Sequence, residues 1–149
     1  MTKRFVYLLA FVLTVAAASV ALAAEKKALT GGTKPIGPYT PGVDLGNLVF
    51  LAGQIGLNPQ TGQLVEGGVK AEAKQVMENL GSVLKEAGLS YTHVVKTTIF
   101  LADINDFAAV NEIYGGYFPA GSIMPVRSTV AVAALPRGAR IEIDFVAAR

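Results

Sequence analysis

The spacing of hydrophobic and polar positions along the chain changes period several times, and each change marks an element. Tyr39–Leu45 and Leu48–Ile55 read as paired strands, with Gly46-Asn47 as the two-residue hairpin turn between them. Leu48 to Ala52 is continuously apolar, which predicts a strand covered on both faces. Asn58-Pro59-Gln60-Thr61-Gly62 is a turn cluster. Val69, Ala73, Val76, Leu80, Val83, Leu84 and Ala87 then recur at helical spacing, with Glu72, Lys74, Gln75, Glu78 and Lys85 on the other face and Gly88 as the C-terminal cap. Val94–Leu101 is rich in β-branched residues and predicts a strand. A second helix is expected over Phe107–Tyr117, capped by Asn105 or Asp106, with Phe107, Val110, Tyr114 and Tyr117 as its apolar stripe. Ser128–Ala134 and Arg140–Ala147 read as strands around a turn at Leu135-Pro136-Arg137-Gly138. In the last strand Ile141, Ile143 and Phe145 face one way, Glu142 and Asp144 the other.

The order is β-β-α-β-α-β-β, an α+β fold with a single sheet and two helices on one face. The other face then needs a cover, and further copies of the same chain are the simplest one.

Ahead of this pattern, Lys3 and Arg4 precede an uncharged run from Phe5 to Ala23 that ends in Ala21-Leu22-Ala23. A charged start, an apolar middle and a small-residue cleavage site predict a secretory signal at 1–23. The competing reading is an uncleaved anchor, because about 20 apolar residues can cross a bilayer. Residues 24–34 form an extended lead-in and 35–149 the domain. Cleavage removes 23 of the 149 residues and leaves 126, enough for one domain with a real core. The product is expected to be exported to the periplasm, with no stable membrane association after cleavage.

Composition narrows the chemistry. Losing Lys3 and Arg4 from 13 basic residues leaves eleven against 11 acidic ones, so the whole-chain charge of +2 belongs to the leader and the domain has no nucleic-acid footprint. There is no cysteine, which excludes disulfides and thiolate chemistry. One histidine and no cysteine argue against a zinc or copper site, and His93 reads as structural or exposed. Gly-x-Ser-x-Gly, a phosphate loop and paired-histidine motifs are all missing.

Five positions are candidates for chemistry, each with a plain alternative. Arg127 opens a strand and suits a carboxylate by its planar fork, or is a surface arginine at a strand end. Glu142 could orient or deprotonate a water, or belong to a solvated face with Asp144. Gly53, followed by Gln54, permits close backbone approach to a ligand, or marks a bulge. The Tyr39 phenol can donate to a ligand or to a buried partner. Asn111, polar in an apolar stretch, is a ligand contact or an internal hydrogen bond.

Ile36-Gly37-Pro38-Tyr39, Leu51-Ala52-Gly53-Gln54-Ile55, Val95 to Leu101, Asp106 to Asn111 and Pro125-Val126-Arg127-Ser128-Thr129-Val130 together resemble the Rid family, the reactive intermediate (2-iminobutanoate/2-iminopropanoate) deaminases. The likeness runs from about Pro35 to Ala147. It implies a chorismate-mutase-like fold and a homotrimer with ligand clefts between subunits. It also implies hydrolysis of 2-imino acids to 2-oxo acids and ammonia, with no metal or cofactor. By the same resemblance Arg127 grips the substrate carboxylate and Glu142 works on the reacting water. Tyr39, Gly53, Asn111 and Thr129 complete the substrate-binding set. Thr129 stands where many relatives have cysteine, and Val126 where alanine is common. Expected partners are small 2-imino or 2-oxo acids and further copies of the chain, not nucleic acid. A non-catalytic binder of small carboxylates is the alternative. A holdase-like or ribonuclease role, proposed for some relatives, is a third reading, and its ribonuclease form conflicts with the neutral domain charge.

Overall fold

The longest periodic segment becomes the longest helix. In the computed structural model, which describes residues 25–149, α1 spans Gly68–Glu86; the predicted signal at 1–23 lies outside the described residues. Its stripe Val69, Ala73, Val76, Leu80, Val83 and Leu84 is buried as the spacing requires. Gly88, at φ 72°, ends it with Leu89 N–H donating to the Leu84 carbonyl (2.8 Å) and Gly88 N–H to that of Lys85 (3.0 Å). One polar position departs from expectation. Glu72 is buried rather than solvated, because its Oε2 accepts a hydrogen bond from the Arg140 backbone N–H (2.8 Å). Asn79, two turns further along, donates through Nδ2 to the carbonyls of Ile55 (3.4 Å) and Leu57 (3.0 Å). This one helix face thus braces two strand ends.

The strands are β1 (Lys27–Leu29), β2 (Gly42–Asp44), β3 (Leu48–Ile55), β4 (Val94–Leu101), β5 (Val126–Ala131) and β6 (Ile141–Ala148). They form one sheet in the order β1-β2-β3-β6-β4-β5, with β4 and β5 parallel and every other neighbouring pair antiparallel. The short helix α2 (Phe107–Gly115) carries the crossover from β4 to β5, and α1 that from β3 to β4. Both helices pack on the same sheet face, where Val49, Leu51, Ile99, Leu101, Ile141, Ile143 and Phe145 meet Val76, Leu80, Val110 and Tyr114. This is the single-sheet α+β architecture the order of elements predicts.

Several boundaries move, each for a local reason. The lead-in contributes β1, which pairs with β2 because Leu29 reaches the core. The first hairpin strand shortens to Gly42–Asp44, since Pro38 and Pro41 each lack a donor for a sheet ladder. The hairpin turn itself forms, with Gly46 at φ 90°. Arg149 ties it to the end of β6: its guanidinium donates to both Asp44 carboxyl oxygens (3.0 and 2.8 Å), to the Gly46 carbonyl and to the Ala87 carbonyl. That ion pair holds the Asp44 carboxyl below the usual carboxylate range. Asp106 occupies the N-cap position of α2, as predicted, but makes no side-chain capping hydrogen bond; the preceding turn Ile104–Asp106 is capped by Asp103, whose Oδ1 accepts from Asn105 N–H (2.9 Å). The helix stops at Gly115, where two glycines in succession remove its propensity. β5 begins at Val126 and ends at Ala131, earlier than predicted, because it registers against β4 from Lys96 to Leu101.

The apolar run Leu48 to Ala52 is covered on one face only within a single chain. Val49 and Leu51 are buried, whereas Phe50 is 44% exposed on the side away from the helices.

Candidate active site

Two separate groups of side chains emerge, one on each face of the sheet. The first lies on the helix side at β5. Arg127 pairs in register with Thr97, which pairs with Phe145, and both of those neighbours are buried under the helices. Its guanidinium carbon lies 5.0 Å from the Tyr114 ring centroid and 5.7 Å from that of Phe107. The two rings hold the guanidinium by cation–π attraction while leaving its N–H edge uncommitted to any protein acceptor among the described residues. Tyr114 is fixed in turn by a 3.0 Å hydrogen bond with Thr97, and burial raises its phenol pKa, so the ring stays neutral.

Asn111 lies between Phe107 and Tyr114 on the same stripe of α2, at the i+4 and i−3 positions. Its side chain makes no hydrogen bond to the protein among the described residues. Thr129, two residues along β5 from Arg127, points to the same face. Its Oγ1 is buried without a hydrogen-bond partner, which a native protein rarely leaves unfilled. A cation, an amide and an orphaned hydroxyl thus lie on the helix side of β5 and on the α2 stripe that packs over Arg127, none with a hydrogen-bonding protein partner among the described residues. Such a set suits a small carboxylate with a polar neighbour.

The second group lies on the opposite face. Glu142 pairs with Phe100 on β4 and Ile55 on β3, and it lines a cleft of about 200 Å³ with Tyr39, Gly53, Gln54, Thr33 and Ile36. Burial, and then the charge of Asp144, raise the Glu142 pKa above the ordinary carboxylate value. Gly53 sits in a β-bulge, where the register of β3 against β6 slips between Leu51 and Gln54. It is also where the Glu142 carboxyl rests: any Cβ at 53 would collide with that carboxyl. Bulge and close approach, the two readings of Gly53, are therefore one feature. Tyr39 ends the Ile36–Tyr39 turn, and its hydroxyl accepts from the Ile36 N–H (3.4 Å). Gln54 is almost fully buried, with Oε1 accepting from the Thr33 hydroxyl (3.1 Å).

The sheet register keeps the two groups apart. Arg127 and Glu142 sit two strands from each other and three residues out of step, an odd offset that turns their side chains to opposite faces. At ordinary strand spacings their Cα atoms are roughly 14 Å apart. The single chain unites Tyr39, Gly53 and Glu142, and separately Arg127, Asn111 and Thr129. It does not bring the two sets into one cleft.

Sequence reasoning placed Phe107 and Tyr114 in the core stripe and missed their stacking against Arg127. The signal that could have found it is their seven-residue spacing astride a polar Asn111. Among the described residues, no group of three or more metal-ligating side chains occurs and no helix is long and apolar enough to cross a membrane.

Comparison with known proteins fixes the lineage. The family model described as Endoribonuclease L-PSP matches residues 30–149. A human protein named 2-iminobutanoate/2-iminopropanoate deaminase is 54% identical over 112 residues, covering 75% of this chain and 80% of its own length. A crystal structure of a conserved Rid-family protein from Yersinia pestis superposes with a TM-score of 0.79 at 41% identity, covering 84% of this chain and 100% of that one. The crystal structure of E. coli TdcF with bound serine gives a TM-score of 0.78 at 41% identity, covering 83% and 99%. By the family model over residues 30–149 and relatives above 50% identity on the same fold, the chain belongs to the Endoribonuclease L-PSP family, the group that contains the Rid deaminases.

Proposed function

We propose that the protein hydrolyses reactive 2-imino acids to 2-oxo acids and ammonia, in clefts formed where two copies of the chain meet. The observation that carries this reading is the split itself: a carboxylate-binding set built on Arg127 and a water-handling set built on Glu142, each incomplete alone. The sheet face away from the helices supports self-association, since Phe50, Val126 and Val130 leave 44%, 70% and 45% of their surfaces uncovered. A closed ring of copies, the homotrimer expected from the resemblance, covers that face and sets the Arg127 edge of one chain against the Glu142 cleft of the next.

The chemistry asks little beyond placement. A protonated 2-imino acid carries an electrophilic C=N carbon. Arg127 holds its carboxylate by two parallel hydrogen bonds, and Asn111 and the free Thr129 hydroxyl fix the neighbouring polar atoms. Glu142 accepts a proton from a water as the water oxygen bonds to that carbon. Glu142 returns that proton to the nitrogen of the resulting carbinolamine and takes the hydroxyl proton as the C–N bond breaks, which leaves the 2-oxo acid and ammonia. A carboxylate with a raised pKa is a better base for this step than a fully solvated one.

The test generates iminopropanoate from alanine with an amino-acid oxidase and follows its loss. Arg127→Ala is expected to lower kcat/KM by about 100-fold or more, because charge-assisted contact and orientation are lost together. The acid limb of the wild-type pH profile should fall above the ordinary glutamate range and vanish in Glu142→Gln. Wild-type rates in Arg127→Ala would reject the proposal. A non-catalytic carboxylate binder is the second reading, favoured by the uncommitted guanidinium of Arg127 beside the orphaned Thr129 hydroxyl; binding of 2-oxobutanoate without imine turnover in the wild type would select it. Export to the periplasm, proposed from residues 1–23, is checked by N-terminal sequencing of the envelope fraction.

A further inference from the structure

Beside the Glu142 cleft lies a second one, also of about 200 Å³, which shares Thr33, Ile36 and Leu57 with it. Its lining includes two cations, Lys34 and Arg137, and no carboxylate. Neither cation forms an ion pair among the described residues, although Lys70, Lys74, Arg140 and Arg149 all do.

Arg137 is unusual in its backbone as well. At φ 57°, ψ 17° it occupies the left-handed region, the one non-glycine residue with positive φ among the described residues. A residue with a Cβ gains nothing from that conformation, so the surroundings must impose it. The guanidinium is anchored across the cleft by Nη1 donating to the Gly62 carbonyl (3.1 Å). Gly62 belongs to the turn that Asn58 organises, with Oδ1 accepting from Gln60 N–H (2.8 Å) and Thr61 N–H (3.2 Å). One of five guanidinium donors is thereby used to hold the group at the cleft, and the others stay available.

We propose that this second cleft binds a second anionic group of the substrate, so that the protein accepts 2-imino acids whose side chain ends in a carboxylate. Arg137 and Lys34 are the distal anion-binding residues. The shared wall of Ile36 and Leu57 is apolar and suits the methylene carbons between the two ends. The two cations also offset the repulsion that Glu142 exerts on a doubly charged ligand. The inference rests on the deaminase reading only for what happens at the reacting end; the binding step stands without it.

The experiment compares binding of 2-oxoglutarate and 2-oxobutanoate to the full chain by titration calorimetry, in wild type, Arg137→Asn and Lys34→Gln. Asparagine tolerates the left-handed backbone at 137, so the charge is removed without new strain. The expected result is a loss of about tenfold in 2-oxoglutarate affinity for Arg137→Asn and a smaller loss for Lys34→Gln, with 2-oxobutanoate changed less than about twofold. Unchanged 2-oxoglutarate affinity in both variants overturns the proposal, as does an equal loss for both ligands. Iminopropanoate turnover is measured on the same wild-type sample. Its absence would count against the deaminase reading while leaving the two-ligand comparison to decide this one.

Discussion

Two inactive variants, mixed in one oligomer, are expected to recover about a quarter of wild-type imine hydrolysis. The pair is Arg127→Ala and Glu142→Gln, co-expressed in equal amounts and purified through one shared tag, so that rings of every composition are kept. Each alone should be near background. Recovery follows from the register, which turns Arg127 and Glu142 to opposite faces of one sheet. In a ring of randomly mixed chains, a junction is intact when the chain supplying the guanidinium carries the Glu142 change and its neighbour carries the Arg127 change. That combination arises at about one junction in four. A mixture no more active than its components would show that the two groups do not meet across a junction.

Gly53→Ala should be nearly as damaging to turnover as losing Glu142, at about 100-fold in kcat/KM, while leaving the fold intact. Gly53 is not among the glycines at positive φ, so alanine meets no backbone penalty there. What it meets is the Glu142 carboxyl, which lies where the new methyl group would go. The side chain must swing off the bulge, and a base displaced by about an ångström loses its water. The melting temperature and the rate are read on the same sample. A rate within threefold of wild type would mean that Glu142 need not rest on Gly53 to work; a large fall in melting temperature would reassign the glycine to folding.

Periodicity made the scaffold legible. The stripe from Val69 to Leu84 and the alternation from Ile141 to Phe145 are long and regular enough to fix α1, β6 and the face each one buries. Short elements were another matter. Nothing within Lys27–Leu29 distinguishes a three-residue strand from an extended lead-in; its pairing depends on β2, fifteen residues further on. Glu72 looked solvated because helical spacing ranks residues by hydrophobicity. Its burial comes from a backbone N–H 68 positions away, which no local pattern reveals.

The candidate site was legible in part. The chosen residues fall into two groups rather than one, and the Glu142 carboxyl rests against Gly53, a contact no local pattern announced. What sequence could not state is that Arg127 and Glu142 diverge within one chain, because that depends on the parallel register of β5 on β4. Phe107 and Tyr114 were read as core for a related reason: an aromatic at helical spacing looks the same whether it packs on a leucine or beneath a guanidinium.

The opposed outlooks of Arg127 and Glu142 carry a kinetic corollary. An enzyme that borrows half its machinery from a neighbour loses specific activity on dilution, and regains it when concentrated again. Its working range is then set by how tightly the subunits hold one another, so a substitution such as Val126→Asp on the exposed apolar face would silence catalysis without touching a single reacting group.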